Sequence, residues 1–217
     1  MDKKIIEKIK QLDAATISDA MDKLGIECGL IGIKPINPGK KICGQAFTVK
    51  YEPRGLDKGT VGDYLDDVEE GQVVVLDNSG RLDCTVWGDI LSLYATTKNV
   101  EGTIIDGVCR DVPDIKKIGY PIYTKGHYMV TGKDRVQVKE VGKPVSISNV
   151  QVKPGDIIFG DDTGVLVIPQ DYAEEVIKIT DDIEAKEVLI REALKAGKSL
   201  REARAEMGYH TLQTKGK

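Results

Sequence analysis

Two short, unbroken apolar runs, Val73-Val74-Val75-Leu76 and Thr103-Ile104-Ile105, decide most of what this chain can fold into. Neither alternates apolar with polar residues, so each suits a strand buried on both faces, as in a parallel sheet covered by helices. Between them, Val86-Trp87-Gly88-Asp89 opens onto a helical stretch, and the pattern reads strand, helix, strand. The expectation is an α/β fold, with chemistry collecting where the buried strands end.

Just past the second run stand Asp106-Gly107 and the tripeptide Cys109-Arg110-Asp111. Arg110 offers a planar fork for a substrate carboxylate, and Asp111 a hard oxygen ligand for Mg²⁺ or Mn²⁺. Gly88 and Asp89 fall where a helix start leaves backbone N–H groups unpaired, a natural seat for an anion. Asp89 could also cap that helix. The pattern alone equally allows Arg110 and Asp111 to be surface charges or helix caps.

Twenty residues separate Asp89 from Arg110, so the segment reads Asp-x20-Arg-Asp. With WGDIL before the spacer, IIDGVCRD after it and VKPGDIIFGDDTGVLVIP further on, it resembles the class II, metal-dependent 4-hydroxy-4-methyl-2-oxoglutarate/4-carboxy-4-hydroxy-2-oxoadipate aldolases and their RraA-like relatives, from about Leu12 to Arg191. Asp114 matches the acidic position of the aldolase branch. The resemblance implies a layered sandwich of the swivelling β/α/β type, in a single domain over 1–210, whose C-terminal helix packs on a neighbouring subunit of a homotrimer or hexamer. It further implies a lyase that cleaves a 4-hydroxy-2-oxo acid to pyruvate and also decarboxylates oxaloacetate. In that reading Asp111 is the metal ligand, Arg110 the catalytic cation that neutralises the enolate, and Asp89 the catalytic carboxylate that orients a water to take the hydroxyl proton. The backbone N–H groups of Gly88, Asp89, Ile90 and Leu91 bind the substrate carboxylate. The cofactor is a divalent cation, Mg²⁺ or Mn²⁺. The same family also holds regulators that bind and inhibit a ribonuclease complex, and some relatives carry a menaquinone methyltransferase label.

Composition narrows the field. A net charge of −4 and 5% aromatic residues argue against a nucleic-acid surface, which needs a basic face and stacking rings. No run is long and apolar enough for a membrane span, and MDKKIIEKIK lacks a signal core, so a cytoplasmic protein is expected. Cys28, Cys43, Cys84 and Cys109 show no C-x-x-C spacing, and two histidines cannot build a His-rich metal site. Neither Gly-x-Gly-x-x-Gly nor a Walker A motif is present.

The remaining elements follow in order. Ile5, Ile6, Ile9 and Leu12 make a helical stripe, and a second helix runs from Thr16 to Leu24, with Ser18 and Asp19 in a capping role and a stop at Gly25. A loop spans 31–38, a strand Lys41–Tyr51, and a loop entering a short helix 55–67. Asp77-Asn78-Ser79-Gly80 is a turn. A short helix covers Val112–Ile118, a strand Tyr120–Tyr123, and two strands 136–152. A hairpin turns at 160–164, where Asp161 and Asp162 serve the turn or bind a cation. The longest helix covers Tyr172–Ala196, and Ser199 caps a last one to Met207. Residues 211–217 are expected to be a disordered tail. Six side chains carry two readings each: Trp87 walls the site or packs between subunits, Cys109 is reactive or a buried apolar group, His127 is an acid–base residue or has a loop or interface role, and Glu184, Glu187 and Arg191 complete a site in trans or face solvent.

Overall fold

The structure, a computed structural model, describes residues 3–56 and 59–209; the expected tail from Thr211 lies outside them. Helices α1 (Lys3–Lys10) and α2 (Ala14–Leu24) lead into strand β1 (Lys34–Pro35) and the long β2 (Ile42–Pro53). After a 3-10 turn at Asp63–Asp67 come β3 (Val73–Asp77), α3 (Asp89–Thr97), β4 (Gly102–Cys109), α4 (Val112–Ile118) and β5 (Ile122–His127). Strands β6 (Val136–Val141), β7 (Val145–Ile147), β8 (Val150–Val152), β9 (Ile157–Gly160) and β10 (Val165–Ile168) precede α5 (Ala173–Lys195) and α6 (Leu200–Glu206).

The apolar runs became the centre of an eight-stranded sheet ordered β1-β5-β4-β3-β2-β9-β10, with β6 also on β2. Strands β2, β3, β4 and β5 run parallel, in register at Val49↔Leu76 and Leu76↔Ile105, while the flanking strands are antiparallel. Every residue of β3 and of β4 is buried, as unbroken apolar strands require. Parallel order with crossover helices sets the carboxyl ends of β3, β4 and β5 at one edge, and the Arg110-Asp111 loop leaves β4 there.

Three apolar clusters hold these layers. One lies under α3 and α4 and includes Trp87, Leu76, Ile105 and Cys109. A second joins α1, α2 and α5 to β9 and β10 through Ile17, Met21, Phe159 and Val176. The third fills the space between the sheet and the β7–β8 hairpin. The first half of α5 therefore packs on helices of its own chain, and its outer residues Val188, Leu189 and Leu194 are exposed.

Two expected caps moved. The second helix starts at Ala14, because the Asp13 side chain accepts from Thr16 N; Ser18 and Asp19 lie inside the helix. Gly88, not Asp89, is the N-cap of α3, with no side-chain cap bond. The turn at 160–164 is confirmed as such: Asp161 accepts from Thr163 N and from Ala14 N, and Asp162 from Gly39 N. Ser199 and Glu202 form a reciprocal capping box on α6.

Candidate active site

The site grows from two chain segments that cross at the edge of the sheet. Arg110 N donates to Trp87 O at 3.0 Å, which pins the loop after β4 against the start of α3. Trp87 is buried, stacks on Tyr120 with ring centroids 6.0 Å apart, and donates from Nε1 to Ser92 Oγ at 2.8 Å. Ser92 Oγ donates in turn to Gly88 O. An indole buried in this way needs a partner for its N–H, and here that partner also fixes the helix start. Trp87 is thus a fixed part of the site's floor within its own chain.

Asp111 lies in the left-handed region at φ 56° and caps the start of α4 through its backbone, since Asp114 N and Ile115 N both donate to Asp111 O. Its carboxylate makes no cap bond to α4 and turns to the other segment. Oδ2 stands 3.3 Å from Arg110 Nε and 3.4 Å from Asp89 N. Gly88 gives way to this contact: a Cβ there would meet Asp111 Oδ2 at 2.5 Å and Arg110 Nε at 3.4 Å. Gly88, Asp89, Arg110 and Asp111, far apart in sequence, therefore share one small volume.

A cavity of about 610 Å³ opens beside them, lined by Gly88 to Leu91 and Arg110. Its other side comes from the 3-10 turn, and its rim includes Thr131 and Lys133.

The profile of the RraA-like family, described as Aldolase/RraA, matches residues 14–167. The chain belongs to the RraA-like family. Protein DlpA of Legionella pneumophila is 44% identical over 94% of this RraA-like chain, which spans only 34% of that relative's length. A protein of Halalkalibacterium halodurans named "Putative 4-hydroxy-4-methyl-2-oxoglutarate aldolase" is 32% identical over 88% of this chain and 90% of its own. Among solved structures, an uncharacterized protein of Pseudomonas syringae superposes with a TM-score of 0.87 at 40% identity, covering 94% of this chain and 98% of its own. Streptomyces coelicolor RraAS2, titled an unusual member of the RNase ES inhibitor RraA protein family, gives 0.82 at 27% identity, covering 88% and 97%.

Several residues of this RraA-like chain fall outside the cluster. Asp114 pairs with Lys117 at 2.9 Å on the exposed face of α4. His127 is exposed at the end of β5, in register with Cys109, and is not among the cavity's lining residues. Cys109 is fully buried, and burial pushes its thiol up to about 12, so it is a core residue and no nucleophile. Glu187 and Arg191 pair with each other along α5. Sequence reasoning missed Gly59 to Asp63, Leu65, Asp66, Thr131 and Lys133, because a rim assembled from a turn and a distant loop has no spacing signature.

The donor set suits a hydrated hard cation. Asp111 offers a partly exposed carboxylate with the backbone N–H of Asp89 beside it, the cysteines are buried, and among the described residues no three His, Cys, Asp or Glu side chains converge. Mg²⁺ keeps most of its waters and is commonly held by one or two carboxylates, and the Asp111 carboxylate fits an ion of that kind.

Proposed function

We propose that this chain is a divalent-metal-dependent lyase that cleaves a 4-hydroxy-2-oxo acid, of the 4-hydroxy-4-methyl-2-oxoglutarate type, to pyruvate and a second carbonyl compound. The observation that carries the reading is the convergence of a helix start and Arg110 on one cavity, with the Asp111 carboxylate in contact with both beside it. The name of the Halalkalibacterium relative supports it. Asp111 would hold Mg²⁺ or Mn²⁺, and when bound the cation supplies Lewis-acid stabilisation of the charge that develops on the substrate's 2-oxo group.

The chain's own groups do the rest. The first turn of α3 presents backbone N–H groups at Ile90 and Leu91 with no earlier helical carbonyl to bond, and these hold the substrate carboxylate. The Arg110 guanidinium lies beside the 2-oxo oxygen and offsets the negative charge that grows there as the C3–C4 bond breaks. The Asp89 carboxylate, at the first position of α3, takes the 4-hydroxyl proton through a water. Loss of CO₂ from oxaloacetate generates the same enolate, so the same groups serve as an oxaloacetate decarboxylase. Exposed Ile90, Leu93 and Met129 offer an apolar surface to further copies of the chain in a homotrimer or hexamer. Among the described residues no helix is long and apolar enough to cross a membrane, in keeping with work on a small molecule in the cytoplasm.

The test is pyruvate release, coupled to lactate dehydrogenase, from oxaloacetate and from 4-hydroxy-4-methyl-2-oxoglutarate, each with Mg²⁺ and with chelator. Chelator-sensitive release from the hydroxy acid is the expected result. Release from oxaloacetate alone would keep the enolate chemistry and call for another aldol substrate. No release from either would sink the lyase and leave the ribonuclease-regulator reading.

A further inference from the structure

The reacting end accounts for only one of the substrate's charges. A 4-hydroxy-2-oxo acid of the proposed type carries two carboxylates, the second on C4, and the backbone N–H groups of α3 take the first. A charge drawn out of water needs an opposite charge or hydrogen-bond donors beside it. With Arg110 and Asp89 both committed to the reacting end, the ionisable side chains left among the lining residues are Lys133 and, on the 3-10 turn, Asp63 and Asp66. Lys133 is the one cation of the three.

Lys133 stands on a fixed backbone. Thr85 N and Thr85 Oγ1 both donate to Val130 O, at 3.0 and 3.2 Å, and Thr85 pairs in parallel with Thr131. Gly132 is pressed onto the same stretch, where an added Cβ would overlap Thr85 O. Gly132 O then accepts from Arg135 N and Val136 N at 2.8 and 2.9 Å, which closes a turn around Lys133. Thr85 comes three residues before Gly88, so one short stretch of chain carries the helix start at one end and the base of Lys133 at the other.

The neighbours of Lys133 in this turn are engaged. Asp134 pairs with Arg54 at 3.3 Å, and the Arg135 guanidinium donates to Thr131 O at 3.1 Å. On the 3-10 turn, Asp66 Oδ1 accepts from the Tyr94 hydroxyl at 2.7 Å. Lys133 spends its backbone N–H on Thr131 Oγ1, while its ammonium has no partner among the described residues. A lysine ammonium is a compact charge with three donors on a flexible stem, suited to a carboxylate that shifts as a bond breaks.

Resting on the aldolase reading, we propose that Lys133 is the specificity-determining residue of this site and that its ammonium binds the carboxylate on C4. Asp63 and Asp66 carry like charge and turn that carboxylate away from the 3-10 turn. The 4-hydroxyl gives up its proton, the C3–C4 bond breaks, and its electron pair becomes the pyruvate enolate, which water protonates. C4 becomes a ketone carbonyl and keeps its carboxylate on Lys133, so the second product is itself a 2-oxo acid.

Two measurements separate this proposal from the reading beneath it. Exchange of the pyruvate methyl protons in D₂O with Mg²⁺, followed by NMR, reads the reacting end alone, because pyruvate has no C4. Cleavage of 4-hydroxy-4-methyl-2-oxoglutarate reads the reacting end and Lys133 together. Lys133 is exposed, so Lys133→Met should keep the native Tm. In that variant the ratio of kcat/KM for cleavage to the exchange rate should fall about tenfold or more, the scale of one charge-assisted hydrogen bond. The loss should appear in KM, because the carboxylate is held alike in substrate and transition state. Lys133→Arg keeps the charge and should hold the ratio within about threefold of native. A ratio that does not move in Lys133→Met, or cleavage and exchange that fall together, overturns the proposal, as does exchange by the native chain without cleavage of the dicarboxylate; in each case the aldolase reading stands. Absence of exchange in the native chain removes the aldolase reading and the proposal with it.

Discussion

Asp111 shows how one residue serves the backbone and the site at once. Its φ of 56° lies in the left-handed region, which Asp and Asn visit far more readily than other side chains. Asp111→Asn should therefore keep the loop and its Tm while lowering metal-dependent pyruvate release by about 100-fold or more, the scale of losing a group that stabilises transition-state charge. Asp111→Ala should lose the same activity and in addition about 1 kcal/mol of stability, because Ala carries the left-handed penalty without a compensating polar side chain. Urea titration of the two variants beside an activity assay separates the effects. Asp111→Asn with turnover near that of the native chain would remove Asp111 as the metal ligand. Gly88 makes a complementary case. A Cβ there would stand 2.5 Å from Asp111 Oδ2, and Gly88 lies at a helix start rather than in the core, so Gly88→Ala should displace the carboxylate, remove activity and leave the far-UV spectrum unchanged. What the sequence revealed at this scale was residue type and spacing: an Arg and an Asp just past an apolar strand. It held no sign of the conformation at residue 111, because that is fixed by Trp87 O and by the start of α4.

At the scale of elements, the chain from Trp87 Nε1 to Ser92 Oγ to Gly88 O ties the first turn of α3 to an indole buried against Tyr120. Ser92 is fully buried, so Ser92→Ala leaves the indole N–H without a partner inside the core, a loss of about 2 kcal/mol. Because the lost bond also steadies Gly88 O, the variant should raise KM for the oxo acid more than it lowers kcat; a change confined to stability would show that the chain only supports the fold. The elements themselves were largely readable. Unbroken Val, Ile and Leu runs gave β3 and β4, the Gly-Asp start gave α3, and Gly25 ended α2 in the left-handed conformation. The misplaced caps differ in cause. At α2 several Asp, Ser and Thr residues satisfy the composition of a cap and tertiary packing selects which one, whereas at α3 the cap is Gly88, one residue before the only Asp at that start. At α2 the choice falls on Asp13, since Asp161 from the β9–β10 turn reaches Ala14 N and fixes the first turn there.

For the whole molecule, the question is whether three apolar clusters behave as one core, which the sequence could not answer because the clusters are joined only by pairing across long separations. Strand β2 answers it structurally. Cys43 belongs to the cluster under α1, α2 and α5, Ile42 and Ala46 to the one facing the β7–β8 hairpin, and Val49 and Tyr51 to the one under α3 and α4. Releasing any cluster therefore strips one part of a strand whose other parts are still held, and cooperative unfolding is the expected consequence. The cysteines report on it. Cys28 and Cys43 lie in the helical cluster, Cys84 and Cys109 in the other, and all four are buried. Burial pushes Cys28 up to about 11 and Cys43 and Cys109 up to about 12, so at pH 8 their thiolates are scarce as well as inaccessible. A chromogenic disulfide reagent should find no reactive thiol in the native chain, and in rising urea all four should label in one phase whose midpoint matches that of the far-UV signal. Two thiols labelling before the other two, below that midpoint, would mean that the layer of α1, α2 and α5 opens as a separate unit and that β2 does not couple the cores.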